Sequence, residues 1–176
     1  TWAEAYDETR ALAMGLMELG FGKDDKLAII GSNRPPLYWS MVAAQMCGGI
    51  PVPVYADSVA EEMVYVLQHA EITMAVAENQ EQVDKLLELQ DRLPTLKHII
   101  YRDPRGLRAY DHAAMSSMSD LQEMGRKNAS KHSAALDASI EAGNADDTCV
   151  VLYTSGTTGN PKGVVLTNGN MIYAAK

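Results

Sequence analysis

The 176 residues include only two cysteines, Cys47 and Cys149, both set in apolar runs. So low a count excludes a disulfide framework or a cysteine zinc site and fits buried free thiols in a reducing cytoplasm. Basic charge is also scarce: 15 Lys and Arg face 23 Asp and Glu, a formal net charge of -8. With no basic field to draw in a phosphate backbone, nucleic acid is not an expected partner. Long apolar runs are missing as well. The most apolar stretch, 41–56, is broken by Gln45, Gly48, Gly49, Pro51 and Pro53, so no transmembrane segment is expected. Peripheral association with a membrane is not readable from composition. No secretory signal is visible, although a trimmed N terminus would hide one. His69, His98, His112 and His132 are scattered, without acidic or cysteine partners at ligand spacing. They read as surface or helix-end residues, and no metal site is expected from them. No Ser-His-Asp order, internal repeat or low-complexity tract is present.

What is present reads as alternating strands and helices. Thr1-Trp2-Ala3-Glu4 has capping-box spacing, and Trp2, Tyr6, Leu12, Leu16 and Leu19 recur at helical intervals up to a stop at Gly20. Residues 26–31 form a short, mostly apolar run suited to a covered parallel sheet. Pro35 and Pro36 suit the first turn of a helix over 37–46, with Trp39, Val42 and Met46 on one face. Pro51 and Pro53 each remove a donor, so 50–55 is expected as an edge strand or extended segment. Asp57 or Ser58 is expected to cap a helix over 59–70 that turns Met63, Val66 and Leu67 inward. Glu61 and Glu62 then fall where they favour the helix dipole. A strand over 74–77, a helix over 81–92 capped by Asn79 with Val83, Leu86, Leu87 and Leu93 as its stripe, and a strand over 97–101 follow. This order predicts an α/β fold with a mostly parallel, helix-covered sheet. From 103 to 147 the strand pattern stops, and short helices are expected over 111–125 and 133–142. Met115, Met118, Leu121 and Met124 lie at helical spacing there and read as gap-filling core.

One stretch is best explained by a ligand. Between the β-branched runs 148–153 and 163–167, both expected as buried strands, lies a loop that carries hydroxyls at Thr154, Ser155, Thr157 and Thr158. Gly156, Gly159 and Gly163 free its backbone to turn tightly and aim N–H groups inward, a concavity suited to anions. Lys162 adds a point charge beside Pro161. The pattern is not the Walker A sequence, because Lys162 follows Pro161 and precedes Gly163 rather than Ser or Thr. An ordinary hairpin turn needs fewer residues and fewer glycines. Hydroxyls, bare amides and one lysine describe a triphosphate cradle.

Residues 151–168 resemble the phosphate-loop signature of the adenylate-forming superfamily, which includes acyl-CoA synthetases, luciferases and peptide-synthetase adenylation domains. The likeness extends upstream. Ser32-Asn33-Arg34-Pro35 is similar to that family's Ser-Asn-Arg-Pro turn, with Pro36 where a Glu often follows, and 46–54 resembles its Gly-rich turn into a Val-Pro strand. Residues 64–67 and 103–107 are most similar to bacterial long-chain fatty acyl-CoA synthetases.

The resemblance implies an incomplete N-terminal part of the large domain of such an enzyme, in three stretches: βα layers over 1–102, a connection over 103–147, and strand, phosphate loop, strand and the start of a helix over 148–176. It implies an ATP-dependent, AMP-forming ligase that adenylates a fatty acid and passes the acyl group to coenzyme A, with Mg2+ accompanying the nucleotide. Thr154, Ser155, Gly156, Thr157, Thr158, Gly159 and Lys162 would bind the ATP phosphates. Catalytic residues would lie beyond Lys176, so the 176 residues alone are expected to be inactive. An adenylation domain or an aryl or other acyl-CoA ligase of the same superfamily, and a non-catalytic nucleotide-binding module, remain alternatives.

Overall fold

The computed structural model describes residues 1–110, 113–154 and 160–176. Its first helix, α1 (Trp2–Glu18), starts at the expected capping box, in which the Thr1 side chain accepts from the Glu4 N–H and Glu4 answers to the Thr1 backbone. Leu12, Ala13 and Leu16 are buried, whereas Trp2 and Tyr6 are exposed at 92% and 50%, contrary to the expected stripe. They lie ahead of the buried stretch of the helix, which starts at Thr9. Arg10 lies over the Tyr6 ring and donates to Asp137, holding this outer end by polar contacts instead.

Strands β1 (Lys26–Ile30), β2 (Ile50–Val54), β3 (Met74–Ala77), β4 (His98–Tyr101) and β5 (Met115–Ser117) form a five-stranded sheet in the order β2-β1-β3-β4-β5. Every pairing is parallel. The expected edge position of the proline-bearing β2 is observed, and its partner β1 stands opposite Pro51 and Pro53. Period-two alternation divides the core. Leu27, Ile29, Met74, Val76 and Ile100 face α1, α2 (Pro35–Met46), α5 (Met118–Lys127) and α6 (Ala129–Ala142). Ala28, Ile30, Val52, Ala75, Ala77 and Ile99 face α3 (Ala60–His69) and α4 (Gln80–Glu88). Both faces are therefore covered, as the continuous apolar runs require.

Several local expectations change. The buried face of α2 is Leu37, Ser40, Ala43 and Ala44, while Val42 points to solvent; small residues let this helix approach the sheet closely. Neither Asp57 nor Ser58 caps α3, which starts after Val59 without a side-chain cap, although Met63, Val66 and Leu67 are buried as expected. Asn79 does cap α4, accepting from the Gln82 N–H, but that helix ends at Glu88 and a 3-10 turn, Gln90–Arg92, follows. Strand pairing does not stop at 103: Met115–Ser117 adds to β4, and the Ser117 hydroxyl caps α5 by accepting from the Asp120 N–H. Met115 thus leaves the helical series that its spacing suggested, because a serine cap intervenes.

Helices α1 and α5 cross at two glycines. A Cβ on Gly125 would lie 1.9 Å from the Ala11 carbonyl oxygen, and one on Gly15 would lie 2.3 Å from that of Leu121. The backbones touch there, which fixes α5 against α1 and so brackets the chain that leads on to the last strands.

Those strands, β6 (Thr148–Thr154) and β7 (Lys162–Thr167), form an antiparallel hairpin. Gln45 of α2 donates to the Cys149 carbonyl at 2.9 Å and anchors the base of β6. Cys149 and Val150 are buried as expected, but β7 is not: Val164 and Val165 are 42% and 56% exposed. Its β-branched residues indicate burial, yet none of the described elements covers that face. Helix α7 (Asn168–Ala174) follows through a capping box of Thr167 and Asn170.

Candidate functional site

The hairpin brings the two described ends of the loop together. Thr154, the last residue of β6, stands opposite Lys162, the first of β7, and Tyr153 stands opposite Gly163. Both Thr154 and Lys162 are exposed and open to a ligand. Ser155, Gly156, Thr157, Thr158 and Gly159 lie outside the described residues. Seven residues separate the two strand ends, more than an ordinary hairpin turn requires.

Two cavities flank this neck. The larger, about 590 Å³, is lined by Ser32, Asn33, Tyr38, Tyr55, Asp57 and Thr154, among others. The smaller, about 420 Å³, lies between α3 and the end of the loop and includes Ser58, Tyr65, Asn160 and Pro161. Tyr55 and Tyr153 line both. Tyr153 leans on α3: its hydroxyl is 2.6 Å from His69 Nδ1, and the two rings meet edge to face. Burial, with a smaller effect from Tyr65, raises the Tyr153 pKa, so it is a neutral phenol at physiological pH.

A second polar cluster closes the sheet's switch point, where chain order turns from β1 outward to β2 and then back to β3. Crevices of this kind commonly hold ligands in open α/β sheets. Here Glu78 fills it. Its carboxylate accepts from the Ser32 N–H at 2.7 Å, from the Ser32 hydroxyl and from Arg34 Nε at 2.7 Å. Burial acts to raise the Glu78 pKa, but these donors outweigh it and hold the carboxyl below its ordinary value. An ionised carboxylate repels phosphate.

The Ser-Asn-Arg turn is visible in the sequence but its Glu78 partner is not, and His69 reads there as a surface or helix-end residue. His69 does end α3, but its tie to Tyr153 had no local signal. His132 is buried against Glu18 of α1, and His98 is half-buried with its pKa lowered by burial, so neither is a surface residue. His112 lies outside the described residues. Among the described residues no group of three or more His, Cys, Asp or Glu side chains could hold a metal ion, and no helix is long and apolar enough to cross a membrane.

A doubly covered parallel sheet followed by an antiparallel hairpin makes this an α/β domain. The chain belongs to the AMP-binding enzyme family, which it matches over residues 1–176. It is 33% identical to the long-chain-fatty-acid–CoA ligase ACSBG1 of Rattus norvegicus over 177 aligned residues, all of this chain and 24% of the relative. It is 36% identical over 172 residues to the long-chain-fatty-acid–CoA ligase ACSBG2 of Homo sapiens, 97% of this chain and 25% of that protein. Among solved structures, the anthranilate CoA ligase AuaEII in complex with anthranoyl-AMP superposes with a TM-score of 0.76 at 18% identity, over 96% of this chain and 30% of that one. The chain spans about a quarter of the length of the curated relatives it matches.

Proposed function

We propose that the complete protein carrying this chain is an ATP-dependent, AMP-forming long-chain fatty acyl-CoA synthetase, and that the β6–β7 loop holds the triphosphate of ATP. The observation that carries this reading is the register that sets Thr154 across from Lys162 at the neck of a loop of hydroxyls and glycines. The long-chain acid is supported by the printed names of the curated relatives.

In the proposed reaction a fatty carboxylate attacks the α-phosphorus and pyrophosphate leaves. The thiol of coenzyme A then attacks the acyl carbon and AMP leaves. The loop serves the first step. Thr154, Ser155, Thr157 and Thr158 would donate hydrogen bonds to the β- and γ-phosphates, Gly156 and Gly159 would let the backbone close on them, and Lys162 would balance the charge that grows on the leaving group. Mg2+ would arrive with the nucleotide, bound mainly by its phosphates. The groups that handle the acid and the thiol would lie outside these 176 residues. Two buried free thiols, with a shared cause in apolar packing, support a reducing cytoplasmic setting.

The test is pyrophosphate release by the complete protein with Mg-ATP and a panel of acids. Release that requires a long-chain fatty acid is expected. Release only with aryl acids or amino acids would overturn the acid assignment, and none with any acid would overturn the reading as a ligase.

A further inference from the structure

The loop neck depends on a contact that its own sequence does not contain. We propose that His69 is a positioning residue for the phosphate loop: it fixes Tyr153, and through Tyr153 the Thr154–Lys162 neck. This rests on the proposed role of the loop.

The β6 strand packs against β2, and two side-chain hydrogen bonds from the flanking helices hold it as well. Gln45 holds the Cys149 carbonyl at its base. His69 Nδ1 holds the Tyr153 hydroxyl, at 2.6 Å, beside its tip. The ring of His69 is itself braced by Tyr65, stacked at 5.5 Å and 26° one helical turn earlier on α3. The phenol of Tyr153 lies along Gly163, where an added Cβ would come within 3.3 Å of its Cζ. A shift of Tyr153 is therefore passed to both strands: along the chain to Thr154, and across the hairpin to Gly163 and the adjoining Lys162.

The base and tip anchors are four residues apart, about 13 Å along an extended strand. Over that length a 10° change in strand direction moves the tip by about 2 Å. Misplacement by about 1 Å already slows reactions that depend on alignment. His69 is exposed on α3, so no burial demand explains the bond; what it secures is the direction of Tyr153.

The test is a double-mutant cycle in the complete enzyme, read as acid-dependent exchange of pyrophosphate into ATP. The variants are His69→Ala, Tyr153→Phe and their combination, with His69→Asn as the conservative replacement at the Nδ1 position. Each single change is expected to raise the KM for ATP about three- to tenfold, to leave the KM for the fatty acid in place, and to add nothing in combination. His69→Asn should recover most of the loss. If the two KM values rise together in step with a falling Tm, or if the single effects multiply, the positioning role is overturned. Lys162→Ala separates the two levels. A Lys162→Ala enzyme with wild-type ATP kinetics brings down the loop reading and this inference with it, whereas an impaired Lys162→Ala enzyme beside an unimpaired His69→Ala enzyme overturns His69 alone.

Discussion

Replacing Glu78 by Ala tests whether the switch-point turn is held from across the sheet. Glu78 leaves β3 and satisfies the Ser32 N–H, the Ser32 hydroxyl and Arg34 Nε, all of which follow β1. Two of the three donors are neutral, and each such bond contributes about 0.5–1.5 kcal/mol net. The third comes from an Arg34 side chain that is 56% exposed, so it adds less than about 1 kcal/mol. The local loss is then about 1–4 kcal/mol, which corresponds to roughly 5- to 900-fold faster opening of the Ser32 amide. Native-state hydrogen exchange at Ser32 reads this directly, because it senses local opening rather than global unfolding. Glu78→Gln keeps one acceptor oxygen and should recover about half of the loss. The sign of the pH effect is fixed by the lowered pKa. A folded-state pKa below the ordinary 4.5 makes the contribution complete above that value and lost as the pH falls through the lower folded-state value. Ser32 exchange that is unchanged in Glu78→Ala, or equally pH-sensitive in Glu78→Gln, would refute the reasoning.

Lys162→Ala should lower kcat/KM for adenylate formation in the complete enzyme by about 1.5–3 kcal/mol of transition-state stabilisation, the range for a lost charge-assisted contact; unchanged kinetics would remove Lys162 from the site. Gly125→Ala places a methyl group 1.9 Å from the Ala11 carbonyl oxygen, where no rotation relieves it, and should destabilise the α1–α5 crossing by about 1–3 kcal/mol in a denaturant titration; a wild-type midpoint would contradict the close approach. Burial pushes the Cys47 thiol up to about 12 and raises that of Cys149, so neither should react with iodoacetamide at pH 8 until the protein is unfolded, as mass spectrometry would read.

How much could be read from the sequence depended on range. The parallel sheet was legible because 26–30, 74–77 and 98–101 are short apolar runs separated by helical stripes, and two prolines announced the edge strand. Met115–Ser117 was missed because three residues carry no period of their own and the methionines that follow continue a helical one. Trp2 and Tyr6 were misplaced because spacing cannot tell where along α1 the neighbouring helices begin to cover it. The loop stood out because its hydroxyls, glycines and lysine are contiguous. Its supports did not. Ser32 and Glu78 are 46 residues apart, and His69 and Tyr153 are 84 apart; these pairs exist only because the strand order sets β3 beside β1 and the hairpin beside α3.

The most direct test of the central claim is the product balance of the complete protein supplied with Mg-ATP, a long-chain fatty acid and coenzyme A. One AMP and one pyrophosphate formed for each acyl-CoA, all dependent on the acid, is the predicted result. ADP as the nucleotide product, or ATP cleavage that does not depend on the acid, would contradict it.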